Sequence, residues 1–389
     1  MRPLRLLAGV LVLASLMARP ERAAAQSSIF GIRGLGQPGR PFTPRVRATG
    51  DAFALFDGES DFNPAAVAEL GNVSAGFVTA PTWRSSDTPA GSASLRDTRF
   101  PLISVGGPIP GTRVGIGVSV GSYLDQDFRL ASRDTIPLRG QPVAVFDTLQ
   151  SLGGLSEIRL ATGIVLSPRT TIGGGFYFIT GSSRMDARRA FADSDFIPVQ
   201  QTAELSYQGI GFSLGILHRL SRSIQLGALV RSDGKATVDL DSTRVYSVDL
   251  PYTFALGADI QASRRLGLAL AGSYRTWSGA NSDLLAQGGI GSRNTLTLSA
   301  GAELIRDPRR PERLPLRLGV RYSQLPFPLF TGGRPSEFGV SAGTGTRFAH
   351  DRGGISLALE QVWRREGSAY REHAFSFILG LSIRPYGPR

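Results

Sequence analysis

Few side chains in this sequence are equipped for bond-making chemistry. There is no cysteine, which removes disulfides, thiolate zinc sites and iron–sulfur ligation together. The three histidines, His218, His350 and His373, have no nucleophile and orienting acid in a recognisable arrangement around them. We therefore expect no catalytic residue, no metal site, no cofactor and no enzyme activity. Glycines cluster at Gly115, Gly117 and Gly121 and at 173–175, inside strand-like stretches rather than between a strand and a helix, so a nucleotide loop is excluded on context. The pairs Asp125 with Asp127 and Asp193 with Asp195 are of the type that binds calcium or lipid-bridging cations, but solvated loop charge accounts for them more simply.

Two groups remain as candidates for ligand contact. Arg317 and Arg321 share one face of a strand and have the fork geometry to hold a carboxylate; the competing expectation pairs them with acidic neighbours such as Glu303 or Glu360. The run Leu325-Pro-Phe-Pro-Leu-Phe330 places Phe327, Leu329 and Phe330 in a loop. It reads either as a landing site for a hydrophobic molecule or as a loop packed into the structure.

The elements that carry these residues follow from pattern. The chain has 389 residues, 41% hydrophobic and 19% charged, too apolar for disorder, and its 48 glycines have no fixed period. The net charge of +12 is almost entirely arginine, Lys235 being the only lysine, and it is scattered, so nucleic acid is not an expected partner. At the start, Arg2 and Arg5 precede an apolar run at 6–17 and then Ala23, Ala24 and Ala25, the pattern of a secretory signal over 1–25. The run is shorter than the ~20 residues that would span a bilayer.

From residue 73 to the end, apolar residues recur at every second position. Leu296, Leu298, Ala300, Ala302 and Leu304 alternate with small or polar neighbours, as do Leu316, Leu318, Val320 and Tyr322. Like segments lie at 73–79, 100–109, 114–120, 158–166, 172–178, 203–216, 224–230, 254–260, 266–274, 338–342, 355–363 and 375–383, fourteen strands in all. Short links between them alternate with longer ones at 84–99, 125–154, 181–200, 232–250, 278–293, 325–334 and 365–371. Trp83, Tyr123, Tyr252, Trp277, Tyr322 and Trp363 fall near strand ends, as interfacial girdles require. This predicts an all-β transmembrane antiparallel barrel over 73–389, with short periplasmic turns and long external loops, in the bacterial outer membrane. A soluble sandwich is the weaker alternative. In the segment 203–216 the apolar phase changes, Leu205 and Tyr207 being odd and Ile210, Phe212, Leu214 and Ile216 even, which predicts a bulge or kink near Gly209.

Residues 26–72 lack sustained alternation yet are apolar, and a barrel of this size has room for them inside. Asn63-Pro64 suits a helix start, with a short helix at 65–70 ending at Gly71. The glycine-rich start, Gly50-Asp51-Ala52, then Asn63-Pro64-Ala65 and a first strand at Val73-Ser-Ala-Gly-Phe resemble the FadL-type outer-membrane transporters of long-chain fatty acids and other hydrophobic compounds. The resemblance implies that 26–72 is a hatch plugging the barrel, with Asn63, Pro64 and Ala65 as hatch residues, and that the chain takes up hydrophobic small molecules passively, out through a gap in the wall, for which the phase change near Gly209 is the candidate. It implies a monomer whose partners are the ligand, outer-membrane lipid and lipopolysaccharide, and the barrel-assembly machinery. The alternative on the same scaffold is a PorV-like docking component of a secretion system. The chain departs from the usual aromatic terminus of such barrels, leaving Tyr386 or Phe377 as stand-ins for the assembly signal.

Overall fold

The computed structural model describes residues 24–25, 28–60, 62–89, 91–241, 243–310 and 313–385. Residues 1–23 of the expected leader, and Tyr386, lie outside them. The alternating segments form a closed antiparallel barrel of fourteen strands. In chain order the strands are β1 (Ser74–Thr88), β2 (Gly91–Pro108), β3 (Val114–Asp125), β4 (Phe128–Leu138), β5 (Gln141–Ser167), β6 (Thr170–Phe191), β7 (Val199–Arg219), β8 (Ile224–Ser232), β9 (Lys235–Leu240), β10 (Thr243–Asp249), β11 (Tyr252–Gln261), β12 (Leu266–Arg275), β13 (Thr295–Leu304), β14 (Leu316–Gln324), β15 (Ser336–Phe348), β16 (Gly353–Glu366) and β17 (Tyr370–Ile383). β4 pairs with the outer part of β5 and, at Leu130 and Ala131, with Ala25 and Ala24, and β9 and β10 form a hairpin laid on β7. The others make the ring, which closes where β17 pairs with β1 from Arg371↔Asp87 to Ile383↔Ala75. Closure follows from the surroundings, because hydrocarbon offers no partner to an open strand edge. Among the described residues no helix is long and apolar enough to cross a membrane.

Side chains obey the pleat. On β7, Phe212 and Leu214 face outward at 61% and 73% exposure, while Ser213 and Gly215 between them face the lumen. The predicted kink near Gly209 is not there: β6 and β7 pair without a register break from Thr170↔His218 to Arg189↔Val199. What changes at Gly209 is the environment. Below it the outer face meets lipid and is apolar; above it Leu205 and Tyr207 point inward into a dry core, and polar residues face out. β5 and β6 switch at the same level, with Leu155 and Ile179 inward and Ile158 and Phe178 outward. The irregularity sits instead on the neighbouring chain segment, where Asp233 and Gly234, the latter at φ +66, interrupt the pairing between β8 and β9 along β7.

Two further expectations are corrected. The stretches read as loops at 84–99 and 181–200 are mostly strand, since β1 and β2 run on to a turn at Thr88–Gly91 and β6 and β7 continue past the membrane. Beyond lipid, paired strands satisfy one another's amides while water covers their outer face, so the segments look polar in sequence without being loops. Of the girdle aromatics, Trp83, Tyr252, Tyr322 and Trp363 face outward, but Tyr123 and Trp277 are buried inside. Tyr123 turns inward because it is the extra residue where the β3–β5 register shifts between Ser122 and Leu124.

The leading residues pack against the inner wall. Thr43 caps α1 (Pro44–Ala48), its Oγ1 accepting from Val46 N, and the chain reverses through left-handed Gly50 and Asp51. Asn63 Oδ1 accepts from Ala65 N at 3.1 Å and Asn63 Nδ2 donates to Leu55 O, starting a helix at Pro64–Glu69 that is 3-10 rather than α. Barrel glycines make room for this backbone. A Cβ at Gly319 would collide with the main chain of Thr49 and Gly50, and one at Gly173 with that of Pro64 and Ala65, whereas at Gly174, on the outer face, nothing lies within 4 Å. The adjacent glycines give a direct test. Gly173→Val should lower the thermal stability of the detergent-solubilised barrel by about 1–3 kcal/mol, the usual cost of overpacking, while Gly174→Val should leave it nearly unchanged.

Candidate functional site

Buried ion pairs tie the leading residues to the wall. Arg40 holds Asp51 through two bonds of 2.7 Å and reaches Glu360 on β16 at 2.5 Å; Arg47 of α1 pairs with the other oxygen of Glu360. Arg45 bonds Glu303 at 2.8 Å. Ser28 Oγ and Ile29 N donate to the two oxygens of Glu372, each at 3.1 Å. On the far side Glu157 lies between Arg159 and Arg231, Arg231 also pairs with Asp233, and Arg159 Nη1 donates to Ser60 O at 3.1 Å. Within the leading segment, burial and the nearby charge of Glu59 push the Asp57 carboxyl above its ordinary range, despite bonds of 2.7 Å from Thr43 Oγ1 and Ser60 Oγ. Glu59 moves the other way: burial opposes its charge, but the bond and charge of Arg384 and the hydroxyl of Ser74 outweigh it.

The sequence candidates fall into this frame. Arg317 is buried and bonds Glu303 at 2.8 Å, and Arg321 pairs with Glu337 and lies 3.4 Å from Asp51. Carboxylates of the protein thus occupy both arginines, Glu303 as the sequence suggested and Glu337 in place of Glu360. Phe327 is not an exposed landing residue; it packs edge-on to Trp277 with ring centroids 5.2 Å apart, in the apolar core that fills the outer part of the lumen. Leu329 is part-buried, its N–H donating to Glu366 Oε2 at 2.8 Å, and only Phe330 stays exposed, stacked on Tyr370. Asn63, Pro64 and Ala65 are fully buried or nearly so against β6 and β7. The structure does not gather Arg317, Arg321 and the 327–330 residues around one cavity. His218 Nδ1 lies 3.0 Å from Thr170 Oγ1, and Asp127 Oδ1 accepts from Gly153 N at 2.6 Å. Phe377, the described stand-in for an assembly signal, is half-buried on β17.

The feature that sequence reasoning missed is a break in the wall. β2 and β3 pair from Pro108↔Gly115 up to Leu102↔Gly121 and no further, although both strands continue. At the break stands Pro101, which has no N–H to give to a ladder, and the β1–β2 register shifts beside it between Val78 and Ala80. A proline in the middle of an alternating run was the available signal. In place of β2, Gln37 and Pro38 pair with Asp125 and Leu124, and Gly39 N donates to Tyr123 O at 2.8 Å.

Residues 37–40 therefore form a partition between two cavities. On the wall side a space of about 370 Å³ is lined by Phe100, Pro101 and Leu155 and by the charged Arg47, Arg99, Asp125 and Glu360, among others. On the lumen side a space of about 110 Å³ is lined by Phe42, Leu55, Phe62, Ser273, Trp277 and Leu325, with Arg275 at its edge. Trp277 Nε1 is buried there with no hydrogen-bond partner among the described residues.

These features define a class: a closed fourteen-strand transmembrane barrel with its leading segment folded into the lumen and its wall unpaired at one seam. Solved structures of the same fold are channels for hydrophobic compounds. The chain superposes on a Pseudomonas aeruginosa FadL homologue with a TM-score of 0.63 at 14% identity, covering 90% of this chain and 100% of that one. The CymD monoaromatic hydrocarbon channel gives a TM-score of 0.57, 14% identity and coverage of 92% and 100%. The Ralstonia pickettii toluene transporter TbuX gives the same values, 0.57, 14%, 92% and 100%. At this identity the likeness is one of fold. No family model and no curated protein matches the sequence.

The ion-pair frame predicts how the leading segment is held. Glu360→Gln leaves Arg40 and Arg47 without their shared carboxylate and should destabilise the barrel by roughly 3 kcal/mol. Asp239→Asn, which breaks the solvent-exposed pair with Arg244 at 3.8 Å, should change it by under about 1 kcal/mol. Thermal unfolding in detergent measures both.

Proposed function

We propose that the chain is an outer-membrane channel for passive uptake of hydrophobic small molecules, that residues 26–72 act as its plug, and that the seam between β2 and β3 is the exit. The observation that carries this reading is the unpaired seam, backed by a cavity of about 370 Å³ that shares residues 37–40 as a wall with the lumen cavity. A molecule of low polarity would be held in the lumen cavity by Phe42, Phe62 and Trp277, pass the partition when 37–40 shift, and leave sideways past Phe100 and Pro101, along a cavity whose other side is lined by the paired charges of Arg40, Arg47 and Glu360 and of Arg99 and Asp125.

The lumen cavity, about 110 Å³, is of the order of the ~150 Å³ engineered cavity that holds benzene. That size favours single-ring compounds, the class named for the CymD and TbuX structures. Long-chain fatty acids remain the second class to test, the expectation carried by the FadL resemblance. A permeant with an acceptor atom would also satisfy Trp277 Nε1.

Liposomes containing the purified chain should accumulate labelled toluene or a labelled fatty acid faster than empty liposomes. Ser273→Phe, which fills the lumen cavity from β12, should cut the initial rate several-fold while the barrel stays folded. Equal rates with and without protein for both compounds would refute the transport reading.

A further inference from the structure

The outer wall carries a charged surface that the lumen does not explain. On the lipid-facing side, an aromatic belt runs across β15, β16, β17, β1 and β2. Phe338 stacks on Trp363 with ring centroids 6.0 Å apart, and Phe375 lies 6.1 Å from Trp83, whose ring carries the Arg96 guanidinium 5.1 Å away. On β16 and β17 the next outward-facing positions towards the long-strand end are basic, whereas β1 carries Ser85 and Asp87 there. His373 is the cross-strand partner of Trp363, and Arg365 that of Arg371. Arg334, just before β15, adds another exposed cation.

Two arginines directly opposite on a sheet repel each other. Among the described residues neither Arg365 nor Arg371 forms an ion pair. Asp87, across from Arg371 on the other side, accepts a hydrogen bond from Ser92 instead. On the β6–β7 side the level next to the aromatics is neutral, with Ser206 and Gln208 on β7 and Thr180 and Ser182 on β6, and Arg184 and Arg188 stand further out. Among the described residues this face thus places two opposed arginines immediately above the aromatic belt, at the level where lipid headgroups lie.

We propose that this face binds the phosphate groups of an outer-leaflet lipopolysaccharide, Arg365 and Arg371 clamping one phosphate between them and Arg96, His373 and Arg334 lining its flank. The anion relieves the cross-strand repulsion, and the belt below packs against the acyl chains. Lipid bound there would sit beside β1 and β2.

The test uses the full folded chain in mild detergent, with intact lipopolysaccharide, enzymatically dephosphorylated lipopolysaccharide and inorganic phosphate as probes, and bound lipid read by native mass spectrometry. The wild type should prefer the phosphorylated lipid, and binding should weaken with salt. Arg365→Ser with Arg371→Ser should reduce binding roughly thirtyfold, the effect of losing two surface cations. Arg365→Lys with Arg371→Lys should keep most of it, and Arg184→Ser with Arg188→Ser, on another face, should leave it unchanged. Heat-modifiable gel migration confirms that each variant is folded; should the double serine variant not fold, Arg371→Ser alone is the comparison. Undiminished binding in the folded serine variant, an equal loss in the control, indifference to dephosphorylation, or displacement of the lipid by millimolar inorganic phosphate would each overturn the proposal.

Discussion

Everything in this architecture answers to one constraint: a peptide group in hydrocarbon must find its partner within the protein. The ring of strands meets it by closing β17 on β1, and the chain relaxes it most at the seam above Leu102 and Gly121, where two strands run on without pairing. There the lost partner is replaced from inside, by Gln37 and Pro38. The same residues that mend the ladder therefore stand between the interior and the bilayer, which couples the integrity of the wall to the position of the leading segment.

That segment is held by two kinds of contact with different tolerances. Glycines on the inner face permit main chain to lie on main chain, a fit that a single added methyl group disrupts. Ion pairs such as Arg40 and Arg47 with Glu360 fix its orientation, but they are taken from a polar interior in which each charge already has several neighbours. Burial of so many charges is possible because they compensate one another; Arg317 and Arg321, read in isolation, looked available to a ligand and are not.

The barrel was legible because lipid imposes a strict period of two on the outer face, and each of the fourteen alternating segments corresponds to a strand. The outer extensions were not legible as strands because the selective pressure on the pattern reverses where water replaces lipid, as Leu205, Tyr207 and Ile210 illustrate. A change of apolar parity along a strand signals either a slipped register or a crossed boundary, and sequence alone does not separate the two. Likewise Tyr123 and Trp277 carry the composition of a girdle but the packing of a core. The seam had a visible marker in Pro101, whose meaning depends on which neighbour it faces, and that is a long-range fact.

The length of β5 has one more implication. At about 3.3 Å per residue, its 27 residues extend roughly 90 Å along the strand, and even at a tilt near 45° they rise about twice the ~30 Å thickness of the hydrocarbon layer. On the side of β5, β6 and β7 the wall thus stands well above the membrane surface. The apolar core packed inside it, around Leu205, Val238 and Val248, therefore lies at a level where the outer face of the strands is polar and meets water.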